Sequence, residues 1–512
     1  MNRPIRIRLE VLSPINIGCD DVYEPTRFVI DEERKRLIEF DPVDFYLSLD
    51  DRAKDRFSDI CMGDNILSIF KFIKSKYKDE MGGNEVEVSD GLIQHYKKVL
   101  GLSAFNKKEV INNFTLNKTA YNPFTREPYI PGSSLKGSVR TAYLNKLAKE
   151  KGVKDIWNQY LHPKGLDSGK EQYYSIGKKR VANRLEKDKL LLGAFESDPF
   201  RLVKISDLFP VGEVKTRIVY AVNRKKRPSD RDASGPYQLL ESINKGFIFQ
   251  GTINVETPLT SEIIKSPITI ESLIDAIGNF YRDIWNEDKK IFEDIGINFN
   301  LDGSNLIRIG RHSGVEAVTI EGNRYIKIMQ GKGNSPKYLD HATTLWLASS
   351  ASKPNSNQNL LPFGWAKISV ISEDEYEKDL KEREEKQITL YKKEEALRQK
   401  QMQEKRKIEE KKREQEEQQR KREEEERLAK EEWDRLSEED KMIKRISQSN
   451  VAESQVMEIY NRLDSITDAN KRIEVASALR DYFIRHNKWE KKDISKKQRI
   501  KVQNIKRILG EC

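Results

Sequence analysis

Apolar and charged residues alternate within residues 3–12, strictly from Ile5 to Val11. Ile5, Ile7, Leu9 and Val11 fall on one side, Arg6, Arg8 and Glu10 on the other, and Ser13-Pro14 ends the run. A period of two marks a strand with one buried face. The pattern returns at 247–258, where Phe249, Gly251, Ile253 and Val255 precede Thr257-Pro258. Setting Pro14 on Pro258 places Val11 on Val255 and Leu9 on Ile253, so two halves open on matching strands, as a duplicated unit would. After the second strand, Ile270 to Phe292 takes helical spacing, and 305–309 and 323–330 read as strands. Strand–helix–strand–strand is the order of a split βαβ, ferredoxin-like unit. Between the first strand and residue 120 the chain leans to helix over about 40–120, with Lys71, Lys74, Lys76 and Lys78 on solvated faces. Residues 150–190 are polar and basic and read as a loop insertion that carries His162.

The pattern changes abruptly near residue 373. From Trp365 to Leu509 there is neither glycine nor proline, and residues 378–430 hold 35 charged residues out of 53. Opposite charges interleave at i,i+4 spacing, which supports a helix that has no core to pack on. No apolar residue lies between Ile408 and Leu428, so a heptad seam is absent. The expectation is a single solvent-exposed helix of about 60 residues, on the order of 90 Å at 1.5 Å per residue. Beyond Trp433 apolar residues return, and Ser437, Asn450, Asp468 and Ser495 are N-cap candidates for four short helices, the last ending at Gly510. The expected class is α+β, divided as 1–245, 246–372, 373–436 (the charged helix) and 437–512 (a small basic helical module).

Charge narrows the partner. The 512-residue chain carries a net charge of +10, and 34% of its residues are charged. Residues 1–372 hold 56 basic against 48 acidic residues and the rest 37 against 35, so most of the surplus belongs to the globular part. A basic balance favours a polyanion such as nucleic acid. Cys19, Cys61 and Cys512 show neither metal-ligand spacing nor a disulfide framework. No apolar run approaches the roughly 20 residues of a membrane span, and no signal peptide opens the chain. The chain therefore reads as cytoplasmic, with no membrane, metal or cofactor.

The candidate chemistry centres on Tyr129-Ile130-Pro131-Gly132-Ser133-Ser134-Leu135-Lys136-Gly137-Ser138-Val139-Arg140-Thr141. Pro131-Gly132 breaks the preceding extended run, Ser133 or Ser134 can cap the helix that follows, and Leu135, Val139, Ala142 and Leu147 form its apolar stripe. The open amides and positive dipole end of that helix suit an anion, with Lys136 and Arg140 four residues apart beside it. Gly137, unfavourable inside a helix, would be explained by a backbone passing close to it. Two more features suit RNA. Arg224-Lys225-Lys226-Arg227 ends a strand spanning Val214 to Val222, where a hairpin tip would hold four cations clear of the body. Arg308, Arg311, His312 and Arg324 sit in a glycine-rich loop with Gly310, Gly314 and Gly322. Trp365 reads as core, and Asp207, at the end of Val203-Lys204-Ile205-Ser206-Asp207, as the cap of a following turn.

These motifs resemble the RAMP superfamily of CRISPR RNA-binding proteins. Pro131 to Thr141 is similar to its Pro-Gly-Ser-Ser-Leu-Lys-Gly signature. Within the superfamily, Val203–Asp207, Arg224–Gly246 with Tyr237, Leu240 and Glu241, Arg308–Gly314, and Leu361-Pro362-Phe363-Gly364-Trp365 resemble the fifth-subunit family of type III-A (Csm) effector complexes. The resemblance covers most of 1–372 in pieces and leaves the charged helix and tail outside it. It implies two ferredoxin-like, RRM-like units with helical insertions and no cofactor. It also implies a non-catalytic subunit that binds guide RNA, caps the complex at the guide's 3′ end beside the repeated RAMP backbone subunit, and serves guide maturation and antiviral defence, with target RNA a further contact. The RNA-contacting residues would be Gly132, Ser133, Ser134, Lys136, Gly137, Arg140, Arg224, Lys225, Lys226, Arg227, Arg308, Arg311, His312 and Arg324. The competing reading is a RAMP endoribonuclease that processes CRISPR RNA with a histidine acid/base. Of the five histidines (His95, His162, His312, His341, His486) only His312 lies in a cationic motif, so no catalytic residue is assigned.

Overall fold

The structure is a computed structural model. It describes residues 3–63, 65–102, 114–157, 181–190, 192–229, 235–258, 263–264, 266–330, 333–490 and 495–511; His162 lies outside them. The architecture is α+β. The chain divides into two compact units, Met1–Thr389 and Leu390–Cys512.

The alternating strand Ile5–Val11 lies inside the first sheet of unit one. Ile7, Leu9 and Val11 are buried, as the period of two requires. On one side it pairs with Ile248–Val255, on the other with Trp365–Ile371, both antiparallel. Leu306–Arg308 and Val203–Ile205 form the two edges, and Phe209–Pro210 also pairs with Ile248–Val255. The alignment that sets Val11 on Val255 also sets Ile7 on Gly251, and Ile7 and Gly251 are directly opposed in the ladder. The local two-fold of this antiparallel pair thus relates the residues that the sequence matched. The two halves do not form a sheet each: the opening strand of the first half sits between two strands of the second. Gly251 replaces an apolar residue because its missing Cβ would meet Leu208 Cγ at 2.8 Å.

Two helices, Gly132–Glu150 and Ile270–Ile295, pack against each other within the main core. Leu135, Val139 and Ala142 face Leu273, Ile277, Tyr281 and Trp285, all almost fully buried. The Tyr281 hydroxyl donates to Ser138 O at 3.2 Å, and the Ser138 hydroxyl donates to Arg308 O at 2.9 Å, which locks the helices to the sheet edge. Trp365 is fully buried, edge-on to Trp285 at 5.7 Å. The first turns of a 63-residue helix, Glu373–Arg435, lie over the polar positions of the opening strand. Glu373 pairs with Arg6 at 2.6 Å, Asp379 with Arg8 and Gln250, Tyr376 stacks on Arg6, and Arg383 lies over Phe209.

Among the described residues the second sheet has nine strands, seven in the order Gly18–Val22, Leu116–Thr119, Gln238–Ile243, Thr216–Lys225, Asn84–Glu87, Arg36–Glu39 and Phe28–Asp31. Four helices of the 40–120 insert, Pro42–Ser48, Asp51–Met62, Ile66–Lys76 and Asp90–Leu100, cover one part of it. The long strand Thr216–Lys225 pairs with Gln238–Ile243 through its first half and with Thr344–Ser349 through its second.

In unit two, helices Glu438–Ser447, Glu453–Arg462, Ala469–Arg485 and Lys496–Leu509 enclose Ile446, Val456, Leu463, Val475, Leu479, Phe483 and Ile505. Ser437, Asp468 and Ser495 cap as the sequence suggests, and Gly510 ends the last helix in the left-handed region at φ 72°. Asn450 does not cap: the second helix starts from Ala452, whose own amide is held by the Gln455 side chain.

Candidate nucleic-acid interface

The signature helix starts at Gly132, directly after Pro131, and neither Ser133 nor Ser134 caps it. The cap comes from Asp207, whose carboxylate accepts the Gly132 amide at 2.8 Å. The protein thus supplies its own anion at the helix entrance. Gly132 is required here because a Cβ would lie 2.4 Å from Ile205 O and 2.6 Å from Ser206 O. Lys136 donates to Val203 O at 2.7 Å, and burial, with Lys204 and Arg140 nearby, lowers its pKa. Arg140 pairs with Glu186 at 2.9 Å and Asp198 at 2.8 Å and lies over Phe200. The expected open anion site is therefore filled from within the chain: Lys136 seats the helix on strand Val203–Ile205, and Arg140 ties it to Glu186 and Asp198 ahead of that strand. Ser133 and Gly137 remain exposed. Among the described residues nothing outside the helix's own backbone lies within 4 Å of a Cβ at Gly137, so no described backbone explains that glycine.

The glycine-rich loop is also held inward. Arg308 is 4% exposed, pairs with Asp288 at 2.6 Å, donates to Phe363 O at 2.9 Å and lies over Trp365. It is a buried structural cation, unable to reach a phosphate. His312 has φ 63°, sits 3.1 Å from Gln238 Oε1, and stacks on Trp346 at 4.8 Å. Burial, helped by Arg311, lowers its pKa to about 4, so the ring is neutral near pH 7 and adds no positive charge for RNA. The Arg311 amide donates to Asn16 O, and its guanidinium lies beside Gly18, apart from the other candidates.

Residues 224–227 are not a free hairpin tip. The strand continues to Lys225 and pairs with Thr344–Ser349, which draws the cations against the body. Arg224 donates to Asn357 Oδ1 and Pro354 O, and Lys225 to Ser229 Oγ. Lys226 pairs with Glu316 at 2.6 Å, both side chains largely buried. Burial would raise the Glu316 pKa, but the charge and hydrogen bond of Lys226 outweigh it and leave it lowered. Arg227 is exposed.

What the fold does assemble is a broad cleft of about 1380 Å³. It brings Lys225, Lys226, Arg227 and Arg324 together with four residues the sequence did not single out: Lys149 and Lys154 from the end of the signature helix and its following loop, Lys290 from Ile270–Ile295, and His341. Among the described residues, seven Lys and Arg line it against five carboxylates, and Lys226–Glu316 and Lys149 with Asp283 and Glu321 are already paired. Lys154, Arg227, Lys290 and His341 are exposed on its walls. His341 Nδ1 is 2.6 Å from Asp340 Oδ1, a contact that lowers the Asp340 pKa. A second, smaller hollow of about 310 Å³ shares Lys225, Arg227 and Asp294 with the cleft and carries Arg224. Thirteen residues at about 100° each place Lys149 on the opposite side of the signature helix from Lys136. The signature and the cleft are therefore separate surfaces. Among the described residues no group of three or more His, Cys, Asp or Glu could hold a metal ion, and no helix is long and apolar enough to cross a membrane.

Comparison with known proteins agrees with the motifs. The chain is 23% identical over 412 residues to "CRISPR system Cms protein Csm5" of Methanocaldococcus jannaschii, covering 72% of this chain and 89% of that protein. Among solved structures it is similar to a chain of a "Csm-crRNA-target RNA ternary complex in type III-A CRISPR-Cas system", with 18% identity, TM-score 0.47, and coverage of 72% of this chain and 100% of that one. It is also similar to T. onnurineus Csm5, with 16% identity, TM-score 0.41, and coverage of 71% and 100%. The sequence profile of the RAMP superfamily matches residues 8–446, and this chain belongs to that superfamily.

Proposed function

We propose that this chain is an RNA-binding, non-catalytic subunit of a type III-A CRISPR effector complex, acting in the cytoplasm. Its α+β body serves as paired ferredoxin-like halves that share a sheet. It binds guide RNA at the 3′ end, beside the repeated RAMP backbone subunit and within reach of target RNA, and supports guide maturation. Superfamily membership and the likeness to Csm5 support the assignment to such a complex. The observation that carries RNA binding is the cleft, where strand, helix and loop bring Lys154, Lys225, Arg227, Lys290 and Arg324 to one surface. Cations spread along a groove neutralise successive phosphates without reading bases. Ser133 and Gly137 are open enough for a ribose to approach, while Lys136, Arg140, Arg308 and His312 act by holding the scaffold.

The test is the salt dependence of guide-RNA binding. Replacing Lys225, Arg227 and Lys290 by Gln should lower the slope of log K against log salt by about two, at roughly 0.7 per phosphate contact on a single strand. An unchanged slope sinks the cleft as the interface. One observation favours cleavage as a second reading, namely the His341–Asp340 pair on the cleft wall, since a carboxylate can orient a histidine base. Labelled RNA incubated with the purified protein should stay intact. Cutting that disappears in His341→Gln would establish the enzyme.

A further inference from the structure

We infer that the last helix of the C-terminal module, Lys496–Leu509, is a second nucleic-acid contact that reads the phosphate backbone through a line of cations and does not depend on the cleft. Val502 and Ile505 turn inward to the module's core, on the side that meets Ala469–Arg485. At 100° per residue, Lys496, Gln503 and Arg507 then point away from that core and Arg499 continues the stripe along the helix flank, and all four are exposed. Lys506 flanks them, 4.0 Å from Glu490 and over the Trp489 ring. The line runs about 16 Å along the helix, close to five steps of a nucleic-acid strand at 3.4 Å per step. Gln503, at its centre, can donate to a phosphate or sugar without adding charge.

The helix dipole supplies an independent reason. Of the module's other helices, Glu438–Ser447 and Glu453–Arg462 place acids in their first turns, which favours the positive end of the dipole, while Ala469–Arg485 places none there but is capped by the Asp468 carboxylate. Lys496–Leu509 has no acid there and opens on Lys496, Lys497 and Arg499, which oppose it. A phosphate strand beside Lys496 and Lys497 would relieve their repulsion from the helix end. A membrane surface fits less well, because the apolar face of the helix is spent on the module's own core and Ile500 alone would be left to insert. Ile500, beside the line, is one exposed apolar side chain, too little for the core of a protein interface.

The experiment uses the full-length chain, freed of RNA, and a fluorescent oligo(U) of about 20 nucleotides. Binding is followed by anisotropy across salt for the wild type, for the triple variant Lys496→Gln, Arg499→Gln, Arg507→Gln, and for the cleft variant Lys225→Gln, Arg227→Gln, Lys290→Gln. The tail variant should lose about two units of salt slope, and ultraviolet crosslinks should map to peptides spanning 496–507. Helix content and melting should match the wild type, since the three side chains are exposed. An unchanged slope with no crosslink in 496–507 overturns the inference, even if the cleft variant shows its own loss. Binding to vesicles of phosphatidylserine and phosphatidylcholine that the tail variant loses, while oligo(U) binding stays intact, overturns it in favour of a membrane surface.

Discussion

Gly132 and Gly137 lie five residues apart in the same signature and should respond to alanine in opposite directions. At Gly132 the added Cβ would sit 2.4 Å from Ile205 O and 2.6 Å from Ser206 O, main-chain atoms at the edge of the first sheet. Overpacking of that kind costs about 1–3 kcal/mol. The shift needed to relieve it would also stretch the amide bond to Asp207, and a hydrogen bond to a charged group contributes about 1.5–3 kcal/mol. Gly132→Ala should therefore destabilise unit one by about 3–5 kcal/mol, a fall in Tm on the order of 5 °C or more. At Gly137, inside a 19-residue helix, no described residue beyond the helix's own backbone lies within 4 Å of an added Cβ. Gly137→Ala should stabilise by about 0.5–1 kcal/mol. Differential scanning calorimetry of the two variants is the assay. If Gly132→Ala melts like the wild type, the helix is not seated on strand Val203–Ile205 and the structural reading of the signature is wrong. If Gly137→Ala is more stable yet binds guide RNA more weakly, the exposed flank of the signature is an RNA contact; unchanged affinity removes it from the interface.

His312 should make stability fall with acid. Its folded pKa, about 4, lies below the unfolded value near 6.5, so its contribution is complete above about pH 6.5 and is lost on descending towards pH 4. Urea melts of His312→Asn, whose side chain tolerates the left-handed backbone, should lack about 2–3 kcal/mol of that pH dependence; parallel curves would refute a buried neutral imidazole. A chain ending at Thr389 should melt as cooperatively as unit one in the full protein. Ending at Ser372 should lower Tm, because Arg6, Arg8 and Gln250 lose Glu373, Tyr376 and Asp379; equal Tm values would show that those contacts add nothing.

Periodicity made much of this fold legible. The alternation of Ile5 to Val11, the helical spacing after Ile270 and the uninterrupted charge after Glu373 each declare an element through local physics. The signature was legible as a turn and a capped helix, but not as a docking device. Its cap, Asp207, and the carbonyl that takes Lys136 lie some seventy residues onward, where only the tertiary fold brings them near. The same limit explains Arg308 and Arg224–Arg227. Basic residues in a loop look solvated until a buried carboxylate such as Asp288 or Glu316 is found opposite them. Lys149, Lys154 and Lys290 gave no signal, since each is an ordinary surface lysine until helix packing sets all three around one cleft.

The central claim is that RNA runs along this cleft. Guide RNA carrying 4-thiouridine, crosslinked to the full-length protein and mapped by mass spectrometry, tests it most directly. Within unit one, crosslinked peptides should cluster at 149–154, 225–227, 290 and 339–344, four segments that line the cleft. Crosslinks confined to other surfaces of unit one, with those four segments unmarked, would contradict it.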